Sequence, residues 1–241
     1  MKSELKVCVV VPAFNEEAAI STTLRELKKI DGLSIVVVDD ASEDTTRIVA
    51  LDEKVEVISL KKNHGVGGAM QEGFRFALGE KFDCVIQVDG DGQHDPVSIV
   101  DLISEFCTSG SDVVIGKRFH EKCEYKTPLA RSVGIRLLRM LINLFSGSRK
   151  KIMDPTSGYR LFGVEALKKF EKKYPQRCPE AVATFWLLKD GCSVSEVPVS
   201  MRQRLTGRSS FHSFVGFGWF AVCAVEIVIE GVFRRRVVID Q

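Results

Sequence analysis

Short apolar segments alternate with helical patterns over the first 120 residues, and this alternation constrains the fold more than any other feature of the sequence. The apolar segments are rich in β-branched residues and lie at residues 7–11, 35–38, 55–60, 84–88 and 113–116. Between the first two, Ile20, Leu24 and Leu27 recur at helical spacing. Strands that alternate with helices favour a doubly wound, mostly parallel sheet. We therefore predict an α/β fold.

Polar side chains follow four of the predicted strands. In chain order they are Glu16, Asp39, Asp89 and Arg118. The carboxyl ends of parallel strands meet at one edge of a sheet, and open α/β sheets bind their ligands at that edge. The sequence therefore predicts a single cleft lined by these four side chains.

The fourth predicted strand runs into the acidic loop Asp89-Gly90-Asp91-Gly92-Gln93, whose glycines keep it compact. Carboxylate oxygens are suitable ligands for a hard divalent cation such as Mg²⁺ or Mn²⁺, which bridges a protein to substrate phosphates. A single acid-glycine-acid sequence is also typical of a simple polar turn. The polar groups at the other strand ends favour the metal interpretation.

Two segments in the second half of the chain are amphipathic or apolar. Residues 128–145 predict a basic amphipathic helix, which either packs on the core or lies on an anionic membrane surface. Residues 214–233 are largely apolar, but Glu226 and Glu230 interrupt them, so we expect an interfacial or partner-packing helix and not a membrane span. The partner would be a membrane-anchored protein or a second copy. We predict a main domain at 1–211 and an apolar C-terminal helix with a basic end at 212–241.

Charge and cysteine usage exclude other classes. The net charge of +2 is too small to indicate a nucleic-acid partner. The seven cysteines are odd in number and contain no Cys-x-x-Cys pair, which argues against a zinc site and a disulfide framework. The N-terminal residues lead directly into the first strand, so no signal peptide is expected. We expect a reduced, cytoplasmic protein.

Five motifs occur in order and together resemble glycosyltransferase family 2: residues 12–17 (PAFNEE), 38–44 (VDDASED), 89–94 (DGDGQH), 116–118 (GKR) and 154–160 (DPTSGYR). The closest likeness is to dolichol-phosphate mannose synthases and bacterial polyprenyl-phosphate glycosyltransferases, and it extends from about residue 5 to residue 211. The resemblance implies a GT-A fold with a Rossmann-like sheet, a GDP- or UDP-sugar donor, a Mg²⁺ or Mn²⁺ ion and inverting transfer.

The resemblance also implies roles for individual residues. The donor would contact Pro12, Ala13, Asn15, Glu16, Asp39, Asp89 and Arg204. The metal would be held by Asp89, Asp91 and Gln93, and the acceptor phosphate by Arg118 and Arg131, with Ser157 and Arg160 in a turn facing the same cleft. Asp91, Arg118 and Arg131 would carry the catalysis.

The acceptor class decides whether a general base is needed. A polyprenyl phosphate is already an anionic nucleophile near neutral pH, so its enzyme needs positioning and charge neutralisation more than a base. Arginine suits this role because its planar fork binds phosphate oxygens. The resemblance, the basic helix and the apolar tail together favour transfer to a polyprenyl phosphate by a peripheral protein at the cytosolic membrane face. The alternative is transfer to a glycan hydroxyl, for which only Asp154 and Glu180 are candidate bases.

Three other classes fit parts of the sequence. A phosphoacceptor receiver domain would explain the Asp39-Asp40 pair, but the pair follows the second strand and such a domain is much shorter. A nucleotidyltransferase would also use a metal and a nucleotide, but its N-terminal glycine-rich loop is missing. A non-catalytic nucleotide-sugar-binding protein would not need both acids, Gln93 and the arginines together.

Overall fold

A computed structural model describes residues 5–118, 129–148, 151–202 and 214–233, with side chains described at all of these except 129–131, 214–217 and 233. The strands are β1 (Val7–Ala13), β2 (Leu33–Asp39), β3 (Glu56–Ser59), β4 (Cys84–Gln87), β5 (Val113–Lys117), β6 (Arg160–Gly163) and β7 (Val194–Pro198). The helices are α1 (Ile20–Leu27), α2 (Thr46–Asp52), α3 (Gly65–Gly79), α4 (Ile99–Ser109), α5 (Leu129–Phe145), α6 (Val164–Lys172), α7 (Pro179–Lys189) and α8 (Phe214–Phe233). A 3-10 turn at Pro96–Ser98 precedes α4.

The described strands form one sheet in the order β3-β2-β1-β4-β6-β5-β7. β6 is antiparallel to its neighbours β4 and β5, and every other pairing is parallel. The predicted α/β fold with a mostly parallel sheet is therefore confirmed. Because β1, β2, β4 and β5 all point the same way, their carboxyl ends lie at one edge of the sheet.

The sheet is covered by an apolar layer on each face. Helices α1 and α4 cover one face, and helices α3, α5, α6, α7 and α8 contribute to the layer on the other. Gly73 lets α3 approach β1 closely, since a Cβ at this position would lie 2.4 Å from a methyl carbon of Val10. The Phe74 ring then packs edge-on against Phe162 of β6, with 5.1 Å between the ring centroids. This packing anchors α3 on β1 and β6.

Helices α5 and α8 pack side by side. A Cβ on Gly134 would lie 2.6 Å from the Phe220 ring, and a Cβ on Gly231 would lie 2.9 Å from the Cβ of Phe145. The first contact joins the early parts of both helices and the second joins their late parts, so the helices run in the same direction. The helix predicted at residues 128–145 is confirmed, and its partner is the apolar C-terminal helix.

Cys178 and Cys223 form a disulfide that joins the start of α7 to α8, with 5.8 Å between the Cα atoms. The expectation of a reduced chain without disulfides is wrong for this pair, because helix packing brings together two cysteines that are 45 positions apart in sequence. Within the four described ranges, no helix combines the length and apolar character needed to cross a membrane. The division of the chain at residue 211 stays a prediction.

Candidate active site

The loop after β1 is bonded to the loop after β2. Asn15 has a φ of 55°, a left-handed conformation that asparagine tolerates better than most residues. The Asn15 N–H donates to the Ser42 hydroxyl at 3.0 Å, and the Asn15 side-chain oxygen accepts from the Glu43 N–H at 2.9 Å. The Glu16 N–H donates to the Thr46 hydroxyl at 2.7 Å. These bonds place the predicted donor residues of both loops side by side.

Asp39 lies at the end of β2, opposite Ala13 in the register of β1. Its side chain is buried, and one carboxylate oxygen accepts from the Ser42 N–H at 3.3 Å. The neighbouring Asp40 accepts from the His64 N–H, just before α3, at 2.8 Å. Burial raises the pKa of Asp40. Asp40 therefore supports the start of a helix, whereas Asp39 supports the loop after β2.

The acidic loop after β4 is held in place by its neighbours. The Asp89 N–H donates to Nδ1 of His94 at 3.1 Å, and the His94 ring stacks on Tyr159 with 4.5 Å between centroids. The Gly90 carbonyl accepts from the Thr23 hydroxyl at 3.2 Å. These contacts give His94 a structural role in the loop.

The two acids of this loop differ in exposure. The Asp89 side chain is 39% exposed, and one of its oxygens accepts from the Gln87 amide at 3.3 Å. Asp91 is only 8% exposed, and its Oδ1 accepts from the Gln93 N–H at 3.0 Å. Asp89 is therefore the carboxylate that is open to a ligand, while Asp91 lies inside the turn.

The described residues contain no group of three histidine, cysteine, aspartate or glutamate side chains able to hold a metal ion. Asp89 and Asp91 supply two carboxylates and Gln93 supplies an amide oxygen. These are the hard oxygen donors that Mg²⁺ and Mn²⁺ prefer, and phosphate oxygens of a substrate would complete such a set. The chemistry of these side-chain oxygens fits a divalent cation, with Asp89 as the exposed carboxylate and Asp91 as the buried one.

Arg118, after β5, is bound to Asp154. Its backbone N–H and Nε donate to one carboxylate oxygen at 3.0 and 2.9 Å, and an Nη donates to the other at 2.9 Å. The same Nη donates to the Thr156 hydroxyl at 2.8 Å. Burial acts to raise the pKa of Asp154, but the hydrogen bonds and charge of Arg118 outweigh it and hold the pKa below its ordinary value. Asp154 is therefore a poor candidate for a general base.

Ser157 and Arg160 lie beneath the surface of this turn. Both are fully buried, and the Arg160 guanidinium donates to the backbone carbonyls of Ser157 and Pro155 at 2.6 and 2.7 Å. Their predicted contact with an acceptor stays a prediction. The Arg131 side chain and the whole of Arg204 lie outside the described residues.

One pocket of about 130 Å³ lies between the acidic loop and Arg118. Of the four strand-end residues predicted to line one cleft, Asp89 and Arg118 line this pocket, and Glu16 and Asp39 do not. Its acidic corner is formed by Asp89 and Gln93, and Arg118 lies on another side. The remaining lining is His94, Ile135, Thr156, Gly158, Glu180, Met201, Trp219 and Phe220. Burial raises the pKa of Glu180, although the nearby charge of Arg160 acts in the opposite direction.

Sequence reasoning missed the apolar wall of this pocket, which is formed by Ile135 of α5 and by Trp219 and Phe220 of α8. The concentration of aromatic residues in the first part of the apolar tail, at residues 214, 217, 219 and 220, was the available signal. Their approach to Arg118 depends on helix packing and could not be read from the pattern.

Comparison with known proteins places this arrangement in a family. The sequence model of the family described as glycosyl transferase family 2 matches residues 8–170 of this chain. An uncharacterized protein of Methanocaldococcus jannaschii is 38% identical over 197 residues, covering 80% of each chain. The UDP-N-acetylglucosamine–dolichyl-phosphate N-acetylglucosaminyltransferase of Methanococcus voltae is 30% identical over 215 residues, covering 80% of this chain and 84% of that protein.

Among solved structures, glucosyl-3-phosphoglycerate synthase from Mycobacterium tuberculosis, in complex with Mn²⁺, UDP and glucosyl-3-phosphoglycerate, superposes with a TM-score of 0.72. It is 21% identical, and the match covers 95% of this chain and 81% of that one. The sheet topology and this superposition thus show a GT-A fold. The chain belongs to glycosyltransferase family 2, which confirms the predicted family and enzyme class.

Proposed function

We propose that this protein is an inverting, metal-dependent glycosyltransferase that moves a sugar from a GDP- or UDP-sugar to a polyprenyl phosphate. The observation that carries this proposal is the composition of one pocket, which combines an acidic corner, a buried arginine and an apolar wall. A lipid phosphate needs a cation for its head group and apolar surface for its chain. The name of the M. voltae relative, which specifies dolichyl phosphate, supports the same acceptor class.

The donor side is formed by the strand ends of β1, β2 and β4. Pro12, Ala13, Asn15, Glu16 and Asp39 would contact the nucleotide, with Arg204 as a further predicted contact. Asp89, Asp91 and Gln93 would hold Mg²⁺ or Mn²⁺, and the bound cation would neutralise charge on the departing diphosphate. The hydrogen bonds between the loops after β1 and β2 preorganise this side without any ligand.

On the acceptor side, Arg118 would bind the lipid phosphate, with Arg131 as its predicted partner. A phosphate oxygen then attacks the anomeric carbon, the bond from that carbon to the diphosphate oxygen breaks, and a nucleoside diphosphate leaves. The attacking oxygen carries no proton, so no general base is required. In this step the protein holds the acceptor phosphate in line with the donor.

The surface formed by α5 and α8 supports a place for the protein at a membrane. We call it the outer helix face, and it consists of the exposed side chains Val133, Leu137, Met140, Leu144, Val222, Val225, Ile229 and Val232. Three basic residues follow each helix in the sequence, at 149–151 and 234–236. Apolar helix faces flanked by cations are typical of proteins bound to anionic membrane surfaces. We propose that the outer helix face binds peripherally to the cytosolic side of the membrane. The alternative is that it binds a membrane-anchored partner or a second copy of this chain.

Glu180 favours a second candidate function, transfer to a sugar hydroxyl. It lines the same pocket as Asp89 and Arg118, and burial raises its pKa toward the range of a general base. Glu180→Gln distinguishes the two functions. It should leave transfer to a polyprenyl phosphate nearly unchanged, whereas a hydroxyl acceptor would lose about 10²–10⁴-fold in rate.

The direct test is a transfer assay on the purified protein. It would be incubated with Mn²⁺, undecaprenyl phosphate and one labelled donor at a time, namely UDP-N-acetylglucosamine, UDP-glucose or GDP-mannose. We expect label in the lipid extract with one donor, a strong loss in Arg118→Ala, and no loss in Arg75→Ala, an exposed arginine of α3. Transfer of label to a soluble glycan, with none to lipid, would overturn the proposed acceptor.

A further inference from the structure

The turn at residues 153–157 is held from two sides by oppositely charged side chains. Glu196 of β7 accepts from the Met153 N–H at 3.0 and 2.9 Å and from the Asp154 N–H at 2.8 Å. Arg160 of β6 donates to the carbonyls of Ser157 and Pro155. Glu196 thus binds amide groups at the start of the turn, and Arg160 binds carbonyl groups later in it.

The turn at residues 153–157 also fixes the position of Arg118. The two Asp154 oxygens accept three hydrogen bonds from Arg118, and the Thr156 hydroxyl accepts a fourth. Arg118 and Thr156 line the pocket, whereas Glu196 and Arg160 are not among the side chains that line it. A shift of the turn would therefore move the guanidinium that faces the pocket.

The arrangement around Glu196 is electrostatically costly. Glu196 is partly buried, and this burial raises the Glu196 pKa. The two amide bonds and the charge of Lys117 act in the opposite direction, and the nearby Asp154 carboxylate adds a smaller upward contribution. A neutral side chain would fill the same place on β7 without that cost. What the carboxylate adds is charge and a second acceptor oxygen: Oε1 accepts from both amides, and Oε2 also accepts from the Met153 N–H.

We propose that Glu196 and Arg160 are positioning residues for the acceptor site, acting on Arg118 through the turn at residues 153–157. This inference rests on the proposed function, because it takes Arg118 as the ligand of the acceptor phosphate. It also gives Arg160 a role different from the predicted direct contact with the acceptor.

Glu196→Gln tests the inference, because glutamine keeps the shape but loses the charge and one acceptor oxygen. The probes are farnesyl phosphate, as a short polyprenyl phosphate, and UDP or GDP with Mn²⁺, each titrated by calorimetry. We expect the Kd for farnesyl phosphate to rise about tenfold, as is usual when a supporting shell is removed. The nucleotide Kd should change by less than about twofold. Glu165→Gln, an exposed glutamate paired with Lys168, is the matched control and should change neither.

A double-mutant cycle separates positioning from general loosening of the fold. In an Arg118→Ala background, Glu196→Gln should change the farnesyl phosphate Kd by less than about twofold, since its effect passes through Arg118. An effect as large as in wild type, or an equal loss of nucleotide binding, would overturn the inference. So would an unchanged farnesyl phosphate Kd in the single variant.

Arg160→Lys provides a second test if Glu196→Gln does not fold. Lysine keeps the charge but cannot donate to both carbonyls in the same fork geometry, so the farnesyl phosphate Kd should again rise while the nucleotide Kd does not. An unchanged farnesyl phosphate Kd in Arg160→Lys would contradict the positioning role. If Arg118→Ala alone leaves farnesyl phosphate binding intact, the proposed acceptor site itself fails, and that outcome is distinct from failure of the positioning role.

Discussion

At the scale of single residues, the ion pair of Arg118 and Asp154 is almost completely buried, with side-chain exposures of 7% and 0%. Such a pair adds little net stability compared with an apolar pair, but removing one partner leaves a buried charge without compensation. The Arg118–Asp154 pair therefore affects both the stability of the protein and the position of Arg118 in the pocket.

We predict that Asp154→Asn lowers the free energy of unfolding by about 3–5 kcal/mol, because Arg118 stays buried without its counter-charge. Urea unfolding at pH 7 measures this change. Asp31→Asn alters an exposed aspartate and should change stability by less than about 0.5 kcal/mol. An Asp154→Asn variant as stable as wild type would show that Arg118 finds another partner.

The same pair predicts a pH dependence of defined sign. The pKa of Asp154 in the folded protein lies below its ordinary value of 3.8, so its stabilisation is fully present above that value. The stabilisation is lost as the pH falls from 3.8 through the lower folded-state pKa. The stability difference between wild type and Asp154→Asn should therefore be constant from neutral pH down to about 4 and shrink below it. A difference that already shrinks near pH 6 would be inconsistent with a lowered pKa.

Substitution of Asp91 tests the proposed metal site. Asp91→Ala should abolish transfer and weaken Mn²⁺-dependent nucleotide binding, since one of two carboxylates near the diphosphate is lost. Because Asp91 is buried and accepts from the Gln93 N–H, the thermal unfolding temperature should also fall, so binding and transfer are to be measured well below it. Asp101→Ala, an exposed acid of α4, is the control. Full activity of wild type in excess chelator would refute the metal assignment.

At the scale of elements, the disulfide ties α8 to the start of α7, two residues before Glu180. Trp219 and Phe220, from the first part of α8, line the pocket. The disulfide therefore joins two walls of the proposed acceptor site, and its main effect on stability is to restrict the unfolded chain.

We predict that Cys223→Ser lowers the free energy of unfolding by about 2–4 kcal/mol, as expected when a disulfide closing a loop of this length is removed. Unfolding is to be followed with and without dithiothreitol. The reductant should destabilise wild type and Cys107→Ser, which alters an exposed free cysteine, but not Cys223→Ser. Equal stability of oxidised and reduced wild type would contradict a stabilising disulfide.

At the scale of the whole molecule, the outer helix face and the cleft belong to one structural unit, because α5 and α8 contribute to both. Ile135 and Phe220 face the pocket, while Leu137 and Val225 are exposed on the other side. A membrane bound at the outer helix face would thus lie one helix layer away from the proposed acceptor site.

We predict that the protein binds vesicles of phosphatidylcholine with phosphatidylserine. The double variant Leu137→Glu, Val225→Glu should lower this binding at least about tenfold, because two apolar side chains are lost from the contact. Co-sedimentation measures the bound fraction. Ile48→Glu changes an exposed apolar residue of α2 and should bind as wild type does. Equal binding of both variants would point to a protein partner or a second copy at this face.

Local patterns in the sequence determined the strands, the helices and the polar residues at the strand ends, because hydrophobic periodicity and turn chemistry act over a few residues. The mostly parallel sheet then followed from the alternation, and the family from five motifs in order. Tertiary structure decided the rest. It placed Asp154 against Arg118, 36 positions away, joined Cys178 to Cys223, and set α8 beside α5 as the wall of the pocket. These contacts depend on how distant elements pack, and no local pattern encodes which distant partner a buried charge or a cysteine will meet.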